Sequence, residues 1–166
     1  MHPDHKYAKI ECERRFILDR FPSELNFTRV RHISDRYIEG TSLRLRQQSE
    51  GEGQTVFKLT QKLPNSAVGA QQGLITSIYL TKDEFCVLAT LPAKMLTKTR
   101  YSVPPFGIDV FQGMLRGLVL AEAEFNSAAE ASALTLPSFV VHEVSATTDS
   151  PEGVSLQPQD SSSRVG

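Results

Sequence analysis

Tryptophan is absent from the chain, and cysteine is limited to Cys12 and Cys86. Two thiols far apart and outside any C-x-x-C pair exclude a disulfide framework and a thiolate zinc site. They set a reducing cytoplasm as the expected compartment. Neither charge is in surplus: 18 Lys and Arg against 19 Asp and Glu give a formal net charge of -1. That balance argues against a nucleic-acid coat or a polybasic membrane anchor. No window approaches the ~18 consecutive apolar residues of a membrane span, and Met1 to Lys6 lacks the apolar run of a signal peptide. No G-x-x-x-x-G-K-[ST] loop occurs, which excludes a P-loop enzyme. Histidine is sparse and scattered; His32 and His142 have no partner at metal-ligand spacing and read as structural or exposed. No repeat of fixed period is present.

What remains is ordinary in bulk and unusual in pattern. The 166 residues are 40% hydrophobic and 22% charged, enough for one well-buried domain and too few for two. From Thr147 on, Ser, Thr, Pro, Gly and acidic residues dominate, so residues 8–146 are expected to fold and 147–166 to form a disordered tail. Short alternating runs mark strands over Ile10–Leu18, Phe27–Ile38, Ser42–Gln47, Thr55–Lys62, Leu74–Leu80, Lys94–Val103, Phe106–Phe111 and Leu118–Phe125. Pro64 to Gly73 reads as an aperiodic loop. Capping boxes at Thr81–Glu84 and Ser127–Glu130 open two short helices, the first running through Leu91 to Pro92 and the second ending by Pro137. Many short strands and few helices predict an antiparallel sheet closing toward a barrel, with helices outside.

The strands share one layout. Residues two apart lie on one face of a strand. Glu11, Glu13 and Arg15 therefore line one side of the first strand, with Ile10, Cys12 and Phe16 on the other. The later strands present Arg44 and Arg46, Lys58 and Lys62, Lys98 and Arg100, then Asp109, then Glu122 and Glu124. Signs are segregated: two strands carry acid pairs and three carry only basic pairs. A twisted open sheet with one wet face would produce this pattern. So would a barrel with a polar interior whose apolar faces pack outward against helices. In the second arrangement, clustered carboxylates suit a hard divalent ion such as Mg²⁺ or Mn²⁺. Rows of Arg and Lys suit a polyanion, because guanidinium forks match phosphate oxygens and ammonium groups add point charge.

These residues resemble the CYTH superfamily, the triphosphate tunnel metalloenzymes. Ile10-Glu11-Cys12-Glu13-Arg14-Arg15-Phe16 is similar to the family's E-x-E-x-K signature. Asp35-Arg36-Tyr37 through Leu43-Arg44-Leu45-Arg46, Val56-Phe57-Lys58-Leu59, Lys98-Thr99-Arg100-Tyr101, Ile108-Asp109-Val110 and Leu120-Ala121-Glu122-Ala123-Glu124 follow in the family's order. The resemblance covers roughly residues 8–145. It implies an α+β, mainly β fold: an eight-stranded antiparallel tunnel, closed or nearly so, with a few outer helices. It implies Glu11, Glu13, Glu122 and Glu124 as ligands of Mg²⁺ or Mn²⁺, with Asp109 a further ligand or a neighbour of one. Arg44, Arg46, Lys58, Lys62, Lys98 and Arg100 would hold a triphosphate, and Tyr37 falls where some relatives have a tyrosine read as a proton acceptor. Arg15 replaces the usual Lys; it keeps the charge but cannot give up a proton, which bears on any catalytic part for that position. The strand Leu74–Leu80 lacks the charges many relatives place there, Thr76 and Ser77 leaving that wall neutral.

The implied activity is metal-dependent hydrolysis of a triphosphate, inorganic or organic. A non-catalytic polyphosphate- or nucleotide-binding module and an adenylate cyclase are the alternatives. The expected partner is a small molecule bearing a triphosphate, with no nucleic acid and no membrane, the chain acting as a monomer or homodimer.

Overall fold

A computed structural model describes residues 6–64 and 72–144. The stretch 147–166, expected to be disordered, and most of the 64–73 loop lie outside the described residues. Strands β1 (Lys9–Leu18), β2 (Arg29–Ile38), β3 (Leu43–Ser49), β4 (Val56–Pro64) and β5 (Gln72–Leu80) come first. Helix α1 (Lys82–Leu88), strands β6 (Ala93–Val103), β7 (Phe106–Phe111) and β8 (Val119–Phe125), helix α2 (Ala128–Ala133) and strand β9 (Val140–Val144) follow. The sheet runs β5-β4-β3-β2-β6-β7-β8-β1-β9, and a further pairing of β5 with β1 closes eight strands into an antiparallel barrel. The closed, mainly β barrel with two short helices is the fold expected from the alternation and the resemblance.

One helix boundary and one element depart from expectation. Helix α1 stops at Leu88, short of Leu91, although its capping box forms as expected between Thr81 and Glu84. Pro92 forces the residue before it out of the helical region, so the last turn unwinds early. Helix α2 ends at Ala133, ahead of Pro137 as expected, where Leu134 turns extended at φ -62°, ψ 119°. Strand β9 was not anticipated at all. It lies on the same edge of β1 as β5, but on the other half: Lys9 to Cys12 pair with β5, and Arg15 to Leu18 pair with β9.

Register shows which residues share a face, because directly opposed residues in an antiparallel pair project to the same side. Glu13 opposes Glu124 and Arg15 opposes Glu122, Arg100 opposes Asp109, Tyr37 opposes both Arg44 and Lys94, and Arg46 opposes Asp35 and Lys58. Lys62 and Lys9 both oppose Ile75, which completes the ring. The opposite face carries Phe16, Ala121, Ile108 and Tyr101 in one register row. There the apolar core forms from Phe16, Leu18, Phe106, Ile108, Val119, Ala121 and Ala123, covered by Phe21, Leu25, Leu134, Phe139 and Val140. The main apolar cluster thus lies outside the barrel wall, and the charged face turns inward.

Arg14, on the outer face of β1, ties this covering layer down. Its guanidinium donates to both carboxylate oxygens of Glu143 in β9 at 2.8 and 2.7 Å and to the carbonyl of Ala131 in α2 at 2.8 Å. Among the described residues no helix is long and apolar enough to cross a membrane.

A candidate charged tunnel

Every site residue expected from the sequence projects into the barrel. The acidic wall is β1 and β8. Lys62 lies 2.7 Å from Glu11 and 3.8 Å from Glu13. Arg15 contacts Glu13 through Nη2, and its Nε stands 3.5 Å from Glu122. Glu124 is exposed at the end of β8. Burial pushes the Glu13 carboxyl up to about 7, with Lys62 and Arg15 offsetting only part of that cost and the Glu122 and Glu11 charges adding to it. Glu122 goes the other way. Burial would raise it too, but Lys98, Arg100 and Arg15 together hold it below the usual carboxylate range. Two carboxylates on facing strands thus have opposite proton affinities, set by how many cations each one faces.

Asp109, with 0% exposure, anchors two cations. Arg100 donates to it as a fork at 2.6 and 2.6 Å, and Lys98 at 2.5 Å. Arg100 also reaches Glu122. Its side chain can lie flat because position 107 is glycine: a Cβ there would come within 3.3 Å of Arg100 Cδ. Burial lowers the proton affinity of Lys98, whereas the Asp109 and Glu122 carboxylates overcome the burial of Arg100 and bind its proton more tightly.

The opposite wall is basic. Arg46 donates to Asp35 through Nε and Nη2 at 2.6 and 2.7 Å, both side chains being buried. Burial alone would raise Asp35, but the Arg46 fork outweighs it and holds the carboxyl below its ordinary value. Arg44 stands farther off, 4.0 Å from Asp35, and its buried Nε lacks a hydrogen-bond partner. The Lys58 ammonium sits over the Tyr79 ring at 5.2 Å from its centroid. Burial, then the Asp35 charge, raises the Tyr37 phenol above its ordinary value. The neutral wall is β5, where Ser77 hydrogen-bonds Thr60 at 2.9 Å; Thr76 opposes Gln61 and faces outward.

Register also puts Asp35 and Arg31 on the inner face, and the exposed Lys94 and Tyr79 on that same face of their strands, four residues not expected as site residues. Asp35 and Arg31 lie two and six positions before Tyr37 on the same strand, so the period of two puts them on the face that the resemblance implies for Tyr37.

The donor set on the acidic wall consists of carboxylate oxygens, which suit a hard divalent ion. Glu13, buried and reluctant to ionise, is a group that an added cation would stabilise. As they stand, the carboxylates are held by Arg15, Lys62 and Arg100. No three acidic, His or Cys side chains among the described residues converge closely enough to hold an ion.

Comparisons with solved structures agree with the fold. A crystal structure of NE1496 described as an inorganic triphosphatase is 27% identical, with a TM-score of 0.51 over 81% of this chain and 86% of that one. Another NE1496 structure, described as a hypothetical protein, is 29% identical with a TM-score of 0.50 over 81% and 89% of the respective chains. PH1819 from Pyrococcus Horikoshii OT3, at 20% identity and a TM-score of 0.54 over 74% and 82% of the two chains, shares the fold. No family model and no curated protein matches the chain.

Proposed function

We propose, from a barrel whose resemblance to the CYTH superfamily holds in sequence motifs and in three-dimensional structure, that the chain hydrolyses a triphosphate in its tunnel with a divalent metal. The observation that carries this reading is the segregation of charge inside the ring, carboxylates on β1 and β8 facing basic β2, β3, β4 and β6. A chain of net charge only -1 has concentrated its cations where a polyanion fits and its carboxylates where hard cations fit.

Glu11, Glu13, Glu122 and Glu124 would hold the ion, which when bound supplies Lewis-acid neutralisation of phosphate oxygens. Of the six basic groups expected to hold the triphosphate, Arg44 and Lys58 are the least committed to carboxylates, so they are read as the first to meet the phosphates. Arg46, fixed by Asp35, presents the remaining edge of its guanidinium in a set position. Lys98 and Arg100, anchored on Asp109, keep positive charge between the two walls, where it stabilises charge building on the leaving phosphate oxygens. Tyr37, its phenol held protonated, accepts a hydrogen bond from the Arg44 guanidinium and keeps its own proton to offer a phosphate oxygen.

The direct test is phosphate release from inorganic tripolyphosphate, ATP and thiamine triphosphate, each with Mg²⁺, Mn²⁺ and a chelator. Metal-stimulated release from at least one is the expected result, and absence of release from all three would sink the reading. Arg44→Ala and Lys58→Ala are each expected to raise KM about 10- to 100-fold, the loss of one charged hydrogen bond of about 1.5–3 kcal/mol, with a smaller effect on kcat.

One observation favours a second reading. The cations now spanning the acidic wall would equally suit a module that binds polyphosphate without turning it over. Calorimetric binding of tripolyphosphate with no metal-stimulated release would shift the assignment to that class.

A further inference from the structure

Position 15 holds arginine where the resemblance implies lysine, and the structure gives the difference a physical meaning. Arg15 projects into the tunnel beside Glu13 and directly opposes Glu122. Its Nη2 contacts Glu13, while its Nε stands 3.5 Å from Glu122, an ion-pair contact without a hydrogen bond. One side chain thus spans two of the four carboxylates assigned to the metal. A planar guanidinium with five donors can address two carboxylates at once, whereas an ammonium acts as a single point charge. Arginine also stays charged at every accessible pH, so it can vacate the carboxylates only by moving. Lys62 repeats the theme on a smaller scale, 2.7 Å from Glu11 and 3.8 Å from Glu13.

We propose that Arg15 is a resident competitor for the metal: it bridges Glu13 and Glu122, and a divalent ion reaches those oxygens only when the bridge breaks. The inference rests on the metal-dependent reading given above. It makes residue 15 a determinant of how much metal the chain requires, separate from the residues that hold the triphosphate. The metal requirement becomes conditional: at low free metal the acidic wall is neutralised from within the chain, and at high free metal by the ion.

The test is titration of the full chain with Mn²⁺, following the free ion by its magnetic resonance signal. The wild type is compared with Arg15→Lys, Arg15→Gln and, as a control for loss of any tunnel cation, Arg44→Gln. Arg15→Lys is expected to lower the Mn²⁺ Kd about tenfold, Arg15→Gln by at least as much, and Arg44→Gln by twofold or less. Thermal unfolding supplies a readout independent of turnover. Arg15→Gln should melt below the wild type in chelator and gain more from saturating Mn²⁺ than the wild type does, because the ion takes over the neutralisation the guanidinium performed. An unchanged Kd in Arg15→Lys, or an equal shift in Arg44→Gln, would overturn the proposal while leaving the metal site in place. Absence of Mn²⁺ binding in all four proteins would remove the metal-dependent reading itself.

Discussion

Glu13→Gln is expected to lose metal-stimulated phosphate release by about 10³-fold and, in chelator at pH 8, to be more stable than the wild type. Both effects come from one carboxylate. Glu13 sits between Glu11 and Glu122 on the inner face, and burial holds its pKa near 7 against an ordinary 4.5. The folded chain therefore binds that proton more tightly than the unfolded chain does. Between pH 4.5 and 7 the native state carries more protons, so stability falls as pH rises through this window. At about 1.4 kcal/mol per unit, the ionised carboxylate costs at most about 3.5 kcal/mol above pH 7. Glutamine removes the cost along with the ligand. Denaturant midpoints measured across pH 4.5 to 8 should separate the two proteins at the alkaline end and converge at the acid end. Wild-type turnover in the variant, or lower stability at pH 8, would remove Glu13 from the acidic site as described.

The second large effect lies on the opposite wall. Asp35→Ala is expected to destabilise the fold by about 3–5 kcal/mol, the cost of leaving a buried charge without its partner. Asp35 is fully buried, and the fork from Arg46 at 2.6 and 2.7 Å is its main compensation. The pair also has a pH signature. The folded-state pKa of Asp35 is depressed, so its contribution is present above the unfolded value of about 3.9 and is lost as pH falls through the folded one. Asp35→Asn should flatten the acid limb of the stability curve. Replacing the pair together, as Asp35→Leu with Arg46→Met, should restore stability to within about 1 kcal/mol of the wild type, since an apolar pair escapes desolvation. Phosphate release should stay impaired, because the fixed guanidinium is gone. A double variant as unstable as Asp35→Ala would show that the fork is not the source of the cost.

Alternation made the strands and their shared face legible in the sequence, because a period of two is set by backbone geometry and survives without knowledge of neighbours. Glu11 with Glu13, Arg44 with Arg46, Lys58 with Lys62, Lys98 with Arg100 and Glu122 with Glu124 can each be placed on one face of their strand that way. Pairing could not be read so directly. Nothing local in Arg15 shows that it opposes Glu122, and nothing in Val140–Val144 shows that it completes the edge of β1. Whether a charged face turns inward depends on what covers the other face. That answer came from Phe16, Ile108 and Phe106 packing under Phe139 and Leu134. Asp35 is illegible for a different reason: its value lies in Arg46, a residue on the next strand.

The placement of β1 has a consequence for how the chain reaches its native state. Cys12 pairs with Phe125 and Arg15 with Val144, contacts that join nearly the two ends of the folded region. Long-range pairing of this kind is paid for in loop entropy before it is rewarded, so barrels of this contact order fold on the millisecond-to-second scale. The hairpins from β2 to β5 can form as soon as they emerge from synthesis, but β1 waits with one edge bare until β8 arrives and with half of the other edge bare until β9 does. Until then Glu13 and Arg15 remain in water, where their charges cost little. Ring closure and burial of the acidic wall are thus one late event, and a substitution on β1 should register in the folding rate only to the extent that this closure has occurred in the transition state.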